Sequence, residues 1–204
     1  MTRPQPIDAG IEERFAEQRA RLAAMSFPHA LAVGERAADF ELPNAHGRRI
    51  RLSDQIERGP VVLTFYRGAW CPFCNLQLRG LQQALPEIEA LRASLLAISP
   101  QLPDGSRALI DKNGLTFEVL SDLNSAIASA YGITFTLPPT DQALFLEVGN
   151  DLRKANGNGR WVLPAPATFV IATDGTIHHA RVDADYTSRI MAGEILSALQ
   201  TINP

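Results

Sequence analysis

Val61-Val62-Leu63-Thr64-Phe65-Tyr66-Arg67-Gly68-Ala69-Trp70-Cys71-Pro72-Phe73-Cys74 is the stretch whose reading decides how this chain folds. Its first six residues form an apolar run with little alternation, the pattern of a strand covered on both faces of a sheet. Cys71 and Cys74 are the chain's only two cysteines, and a helical pattern opens near Asn75. Four residues are enough to close a small disulfide ring. A strand that ends at such a ring, with a helix opening from it, places a sulfur beside free backbone N–H groups and the positive end of the helix dipole. Both stabilise a thiolate. The Cys71/Cys74 pair is therefore expected to be redox active.

Composition sets the context for that expectation. At 204 residues, the chain is long enough for one well-buried domain and short for two. With 46% hydrophobic and 20% charged residues it reads as an ordinary globular protein, and a net charge of −3 argues against nucleic acid or an anionic membrane as partner. No stretch approaches the roughly 18 uninterrupted apolar residues of a membrane span. Met1 to Met25 is charged throughout and lacks the apolar core of a secretion signal, so the expected location is the cytoplasm. Two cysteines in such a chain are not a disulfide framework, and so small a ring would remove little unfolded-state entropy. Their reactivity is the reason to expect them there.

Outward from the cysteines, strands alternate with helices. Upstream, Asp8 to about Ser26 reads as a helix capped by Asp8, with Ile11, Phe15, Gln18, Leu22 and Met25 on one stripe that packs on its own domain or, alternatively, forms a homodimer contact. Gly34 to Leu42 and Arg49 to Leu52 flank an Asn44–Gly47 turn and predict a hairpin. Downstream, Leu76, Leu78, Leu81, Leu85, Ile88 and Leu91 continue a helix in which Pro86 predicts a kink or break. Leu95–Ile98 and Thr116–Leu120 read as strands, and Asp104–Lys112 and Asn124–Tyr131 as helices. Thr136–Pro164 departs from this rhythm, with loop signals at Leu137-Pro138-Pro139 and Asn156-Gly157-Asn158-Gly159 and one helix predicted between Asp141 and Lys154. It is expected to be an insertion over the active site. Pro166–Ala172, Thr176–Val182 and a final helix from Ser188 to Gln200 close the pattern. The alternation predicts an α/β fold with a partly parallel sheet.

Three markers in this order, Ala38-Asp39-Phe40-Glu41-Leu42, the Phe65–Cys74 stretch and Pro166-Ala167-Thr168-Phe169-Val170-Ile171, resemble the peroxiredoxin-like branch of the thioredoxin fold, the alkyl hydroperoxide reductase/thiol-specific antioxidant family. The resemblance covers about Leu31 to Leu199. It implies a thioredoxin-like fold: a mixed central sheet flanked by helices, with an N-terminal helix and hairpin and an insertion around 136–164. The expected organisation is an N-terminal helical extension over 1–30 and a peroxiredoxin domain over 31–204. The implied activity is antioxidant reduction of hydrogen peroxide or an organic hydroperoxide, recycled by thioredoxin or a low-molecular-weight thiol, with no cofactor. Two rivals stay open, a thiol–disulfide oxidoreductase and a non-enzymatic redox sensor.

The family's signature, Pro-x-x-x-Thr/Ser-x-x-Cys, places its peroxidatic cysteine on Cys74, its hydroxyl on Cys71 and its proline on Arg67. The family's arginine ahead of Ala-Thr-Phe falls on Pro166, a position where thioredoxins carry a cis proline. Two assignments follow. In one, Cys71 is the exposed nucleophile at the helix start and Cys74 resolves the mixed disulfide. In the other, Cys74 attacks the peroxide and Cys71 condenses with its sulfenic acid. Register favours Cys74; exposure and helix electrostatics favour Cys71, and the balance falls narrowly on Cys71.

Around them, Arg67 is a candidate to lower a thiolate pKa and polarise a peroxide oxygen. Trp70 is expected to shield the disulfide, Pro72 to shape the ring, and Pro166 to adopt a cis bond on which a substrate segment can pair. Arg160 and Trp161 are weighed as replacements for the missing arginine. His178 and His179 are adjacent on a strand and point to opposite faces, and His29 and His46 lie in loops, so no metal site is expected.

Overall fold

A computed structural model describes residues 9–202. The Val61–Cys74 stretch sits at its centre. Its apolar run forms strand β3 (Val61–Phe65), fully buried, in a five-stranded sheet. β4 (Ser94–Ser99) and β5 (Glu118–Ser121) pair in parallel on one side of it, and β8 (Ala167–Ile171) and β9 (Ile177–Val182) pair antiparallel on the other. The sheet is thus mixed, in the order β5-β4-β3-β8-β9.

Period-two alternation along β3 divides the core. Val62 and the following Tyr66 face a cluster containing Leu78, Leu81, Leu85 and Ile88 of helix α3 (Pro72–Ala90) and Ile195 and Leu199 of α8 (Ala192–Ile202). Val61, Leu63 and Phe65 face the opposite cluster, with Phe40, Ile50, Tyr131 and Phe169. That second face is covered by the predicted hairpin, β1 (Glu41–Pro43) with β2 (Arg49–Arg51), whose Asn44 side chain accepts the turn's backbone N–H groups of His46 and Arg48. Short helices α2 (Leu52–Ile56) and α5 (Ala126–Ala130) complete it, while α4 (Pro103–Asn113) lies on the α3 side and ends at left-handed Gly114.

Three expectations change. Helix α3 opens at Pro72, not near Asn75, because Cys71 occupies the cap and proline suits the first helical position. It runs unbroken through Pro86: the one lost backbone bond is outweighed by Leu81, Leu85 and Ile88, which anchor the helix on both sides of the proline. The segment from Thr136 to Pro164 holds two helices in place of one, α6 (Pro139–Glu147) and α7 (Leu152–Asn156), because Gly149 turns the chain at positive φ and Asp151 caps a new start by accepting the Arg153 N–H. A two-stranded ladder, β6 (Thr134–Thr136) with β7 (Val162–Pro164), closes its base.

Helix α1 (Ala9–Ala23) packs against α6 of the same chain through Phe15 on Phe145, with centroids 5.8 Å apart, and through the ion pairs Arg14–Glu147 and Arg21–Asp141. The predicted cap at Asp8 lies outside the described residues. Among the described residues no helix is long and apolar enough to cross a membrane, and no group of three or more His, Cys, Asp or Glu converges on a point.

Candidate active site

The two sulfurs are set by the start of α3. Cys71 caps the helix in extended conformation (φ −87°, ψ 116°), and Cys74 lies one turn in, so both thiols fall on the buried side of the first turn. Both are free thiols, and both are buried, at 1% and 0% exposure. The expectation that Cys71 is the exposed sulfur is therefore corrected: Tyr186, Trp70 and Phe73 close over that end of the helix. Cys71 still faces a cleft, whereas Cys74 lies behind it.

The loop before the helix is held from three directions. Gln101 accepts the Ala69 N–H at 2.6 Å. The Asn75 amide donates to the carbonyls of Ala69 (2.8 Å) and Cys71 (2.9 Å), and Asn113 of α4 in turn donates to Asn75 at 2.9 Å. Gly68 sits at φ +149°, and a Cβ there would fall 2.4 Å from Trp70 Nε1. Glycine is thus required for the indole to fold back over the loop.

Electrostatics separate the two thiols. The backbone N–H of Arg67 donates to Cys74 Sγ at 3.4 Å, and Arg189 Nη2 donates to the same sulfur at 3.4 Å. Burial resists charging Cys74, but the hydrogen bond from the Cys71 thiol, the charges of Arg189 and Arg67 and the Arg67 N–H outweigh it and lower its pKa to about 5. Cys71 moves the other way. Its hydrogen bond to Cys74, its burial and repulsion by the neighbouring thiolate all hold it protonated. The hydrogen bonds from Arg189 and from the Arg67 N–H both fall on Cys74, so the surroundings favour a negative charge there over one on Cys71.

Arg67 is itself buried, at 2% exposure, with no ion-pair partner among the described residues. Its guanidinium carbon lies 4.1 Å from the Tyr186 ring centroid, 4.8 Å from Trp70 and 5.9 Å from Phe145. An aromatic cage retains a desolvated cation through ring faces and leaves it uncompensated except by the thiolate. Trp70 stands beside Cys71 in the cleft wall, and Phe145 of α6 packs on it edge-on at 5.2 Å, which puts the insertion over the site. The cleft at this point encloses about 700 Å³ between α1, α6 and the start of α3, with Phe15, Gln18, Arg67, Trp70, Cys71 and Tyr186 in its wall.

Other sequence expectations separate from the site. Pro72, expected to shape the ring, stands at the helix start and in the cleft wall. Among the described residues there is no cis peptide bond, so Pro166 is trans, the ordinary preference of the X-Pro bond, and the expected cis-proline loop does not form. Its carbonyl accepts the Asp183 N–H at 2.8 Å, extending the β8–β9 ladder. Arg160 is exposed, and Trp161 stacks under Arg153 at 5.4 Å within the insertion, so neither replaces the missing arginine. Arg189 does. Sequence reasoning missed it because it placed Arg189 in the first turn of the final helix, whereas α8 begins only at Ala192; the irregular segment before it returns the chain to the α3 face and brings Arg189 to the sulfur. Tyr186, Phe145 and Gln18 were missed as site residues because only the packing of distant segments brings them to the cleft.

Comparison with known proteins supplies the kinship. The AhpC/TSA family model matches residues 33–180. Peroxiredoxin Bcp of Escherichia coli K12 is 29% identical over 103 residues, which cover 50% of this chain and 65% of the relative. The thiol-disulfide oxidoreductase ResA of Geobacillus thermodenitrificans is 31% identical over 105 residues, 51% of this chain and 59% of the relative. In both cases the chain spans less than two thirds of the relative's length. The crystal structure of peroxidoxin BcpB from Mycobacterium tuberculosis superposes with a TM-score of 0.68 at 25% identity, covering 85% of this chain and 99% of that one.

Proposed function

The chain belongs to the AhpC/TSA family, and from that premise we propose that it is a thiol-dependent peroxidase whose attacking group is the Cys74 thiolate. The observation that carries this reading is the convergence of Arg189 and the Arg67 N–H on Cys74 Sγ, with the Arg67 guanidinium caged beside it. A thiolate is the nucleophile toward an O–O bond, and a cation beside it stabilises negative charge on the departing oxygen.

The steps balance with the groups present. Cys74 S⁻ attacks the terminal oxygen of a hydroperoxide, an S–O bond forms, the O–O bond breaks, and an alkoxide or hydroxide leaves. The neighbouring Cys71 thiol gives its proton to that leaving group and becomes a thiolate. Cys71 S⁻ then attacks the Cys74 sulfenic acid and expels hydroxide, giving the Cys71–Cys74 disulfide. An external thiol, either thioredoxin or a small thiol, supplies two electrons to restore the pair. Cys71 thus takes the position of the family's hydroxyl and adds resolution to it, and Arg189 supplies the charge absent at Pro166.

The test is stopped-flow oxidation of the reduced protein by hydrogen peroxide and by an organic hydroperoxide, with Cys71→Ser and Cys74→Ser beside wild type. Reaction far faster than free cysteine, lost in Cys74→Ser, supports the proposal; reaction no faster than free thiol removes it. A thiol–disulfide oxidoreductase is the second reading, favoured by Cys71, which caps the helix and alone of the two sulfurs faces the cleft. Activity on protein disulfides with no peroxide burst would select it.

A further inference from the structure

Gln18 has both amide atoms buried and, among the described residues, without a hydrogen-bond partner, on a residue with 0% exposure. It belongs to α1, and α1 lies outside residues 33–180 that match the family. An unsatisfied buried amide destabilises a helix packed on its own domain, and leucine would fill the same stripe without that cost. Yet Gln18 lies in the wall of the cleft that contains Cys71 and Arg67. The rest of that wall is largely apolar, from Phe15, Trp70, Phe145 and Tyr186. At the mouth, Glu12 and Arg19 are exposed and carry opposite charges. A space of about 700 Å³ far exceeds what hydrogen peroxide occupies and is in the range of sites for drug-sized organic molecules.

We propose that α1 completes the substrate-binding site and that Gln18 is a specificity-determining residue. Its amide takes a carbonyl or carboxyl oxygen on the organic part of a bulky hydroperoxide, whose apolar body lies against Phe15, Phe145 and Tyr186. This rests on the peroxidase reading above. A single polar group in an apolar wall fixes the orientation of a ligand, and here that group stands on a helix outside the family match. The amide, which has no partner among the described residues, finds one in the ligand.

The test compares the rate constants for oxidation of reduced wild type, Gln18→Leu and Gln18→Met by linoleic acid hydroperoxide and by cumene hydroperoxide, which has no carbonyl. The expected result is a fall of about tenfold in the ratio of the two constants in both variants, the worth of one hydrogen bond to the ligand. The thermal midpoint of Gln18→Leu should be at or above that of wild type. An unchanged ratio overturns the proposal, as does a melting point that falls with both rates equally. If neither hydroperoxide reacts faster than with free cysteine, the peroxidase reading fails and the subsite is judged by binding of the corresponding hydroxy acid, followed by tryptophan fluorescence. Binding about tenfold weaker in Gln18→Leu sustains the subsite; equal binding, or none to wild type, overturns it.

Discussion

Arg189 Nη2 donates to Cys74 Sγ at 3.4 Å although the two residues are 115 positions apart. The guanidinium is steadied by Gln77 of α3, which accepts from Nη1 at 3.2 Å, so one helix positions both the sulfur and the charge that activates it. Replacing Arg189 with Met removes one of the two cations that favour the thiolate. The Cys74 pKa should then rise by about 1–2 units. Thiolate absorbance at 240 nm, titrated in both proteins, measures the shift directly; superimposable curves would show that Arg189 is not an activator.

The same titration has a definite sign in wild type. Cys74 is depressed to about 5 from an ordinary thiol value near 9, so its charge is present throughout the neutral range and lost as pH falls through about 5. The oxidation rate constant should be flat from about pH 8 to 6 and fall about tenfold per unit below 5. Because the depressed group stabilises the fold in its charged form, its contribution is complete above the ordinary thiol pKa and disappears as pH drops from about 9 to about 5. A rate that climbs steadily between pH 7 and 9 would instead indicate an unactivated thiol.

Cysteine substitutions separate the two roles. In Cys71→Ser a hydroxyl replaces the thiol beside Cys74, so the first oxidation should persist and stop at a sulfenic acid that dimedone traps. In Cys74→Ser the fast phase should vanish. Mass spectrometry of each product after one equivalent of peroxide reads the outcome, and a fast phase surviving in Cys74→Ser would transfer the nucleophile to Cys71.

Gly68→Ala tests the loop that carries the indole. The added Cβ collides with Trp70 Nε1 and the φ of +149° disfavours any side chain. A cost of about 1–3 kcal/mol is expected, lowering Tm by roughly 3–10 °C. Displacement of Trp70 should also uncover Arg67, visible as a change in tryptophan emission of the folded protein.

Phe145→Ala probes the insertion as a cover. The ring touches Phe15, Trp70 and the Arg67 guanidinium. Its loss should cost about 3–5 kcal/mol by cavity formation. The same change should speed alkylation of Cys71 by a bulky reagent such as N-ethylmaleimide; unchanged alkylation would mean that α6 does not restrict the cleft.

Much of this protein was legible from the chain alone. The Val61–Phe65 run, buried on both faces, and the Asn44–Gly47 turn carry their structure in local pattern, because strand burial and turn chemistry act over a few residues. The Cys71/Cys74 spacing likewise put both sulfurs at a strand-to-helix junction. Pro86 shows the limit of local rules: packing of Leu85 and Ile88 overrides a residue that by itself breaks helices. Which cysteine carries the charge was not legible, because the same two residues fit either assignment. The arrangement that favours Cys74 comes from Arg189, from the orientation of the Arg67 N–H and from Phe145 and Tyr186 closing the cage, all brought together by the return of distant segments to one face of the sheet. Charge placement depends on the dielectric and on neighbours within a few ångströms, and those neighbours exist only once the tertiary fold has formed.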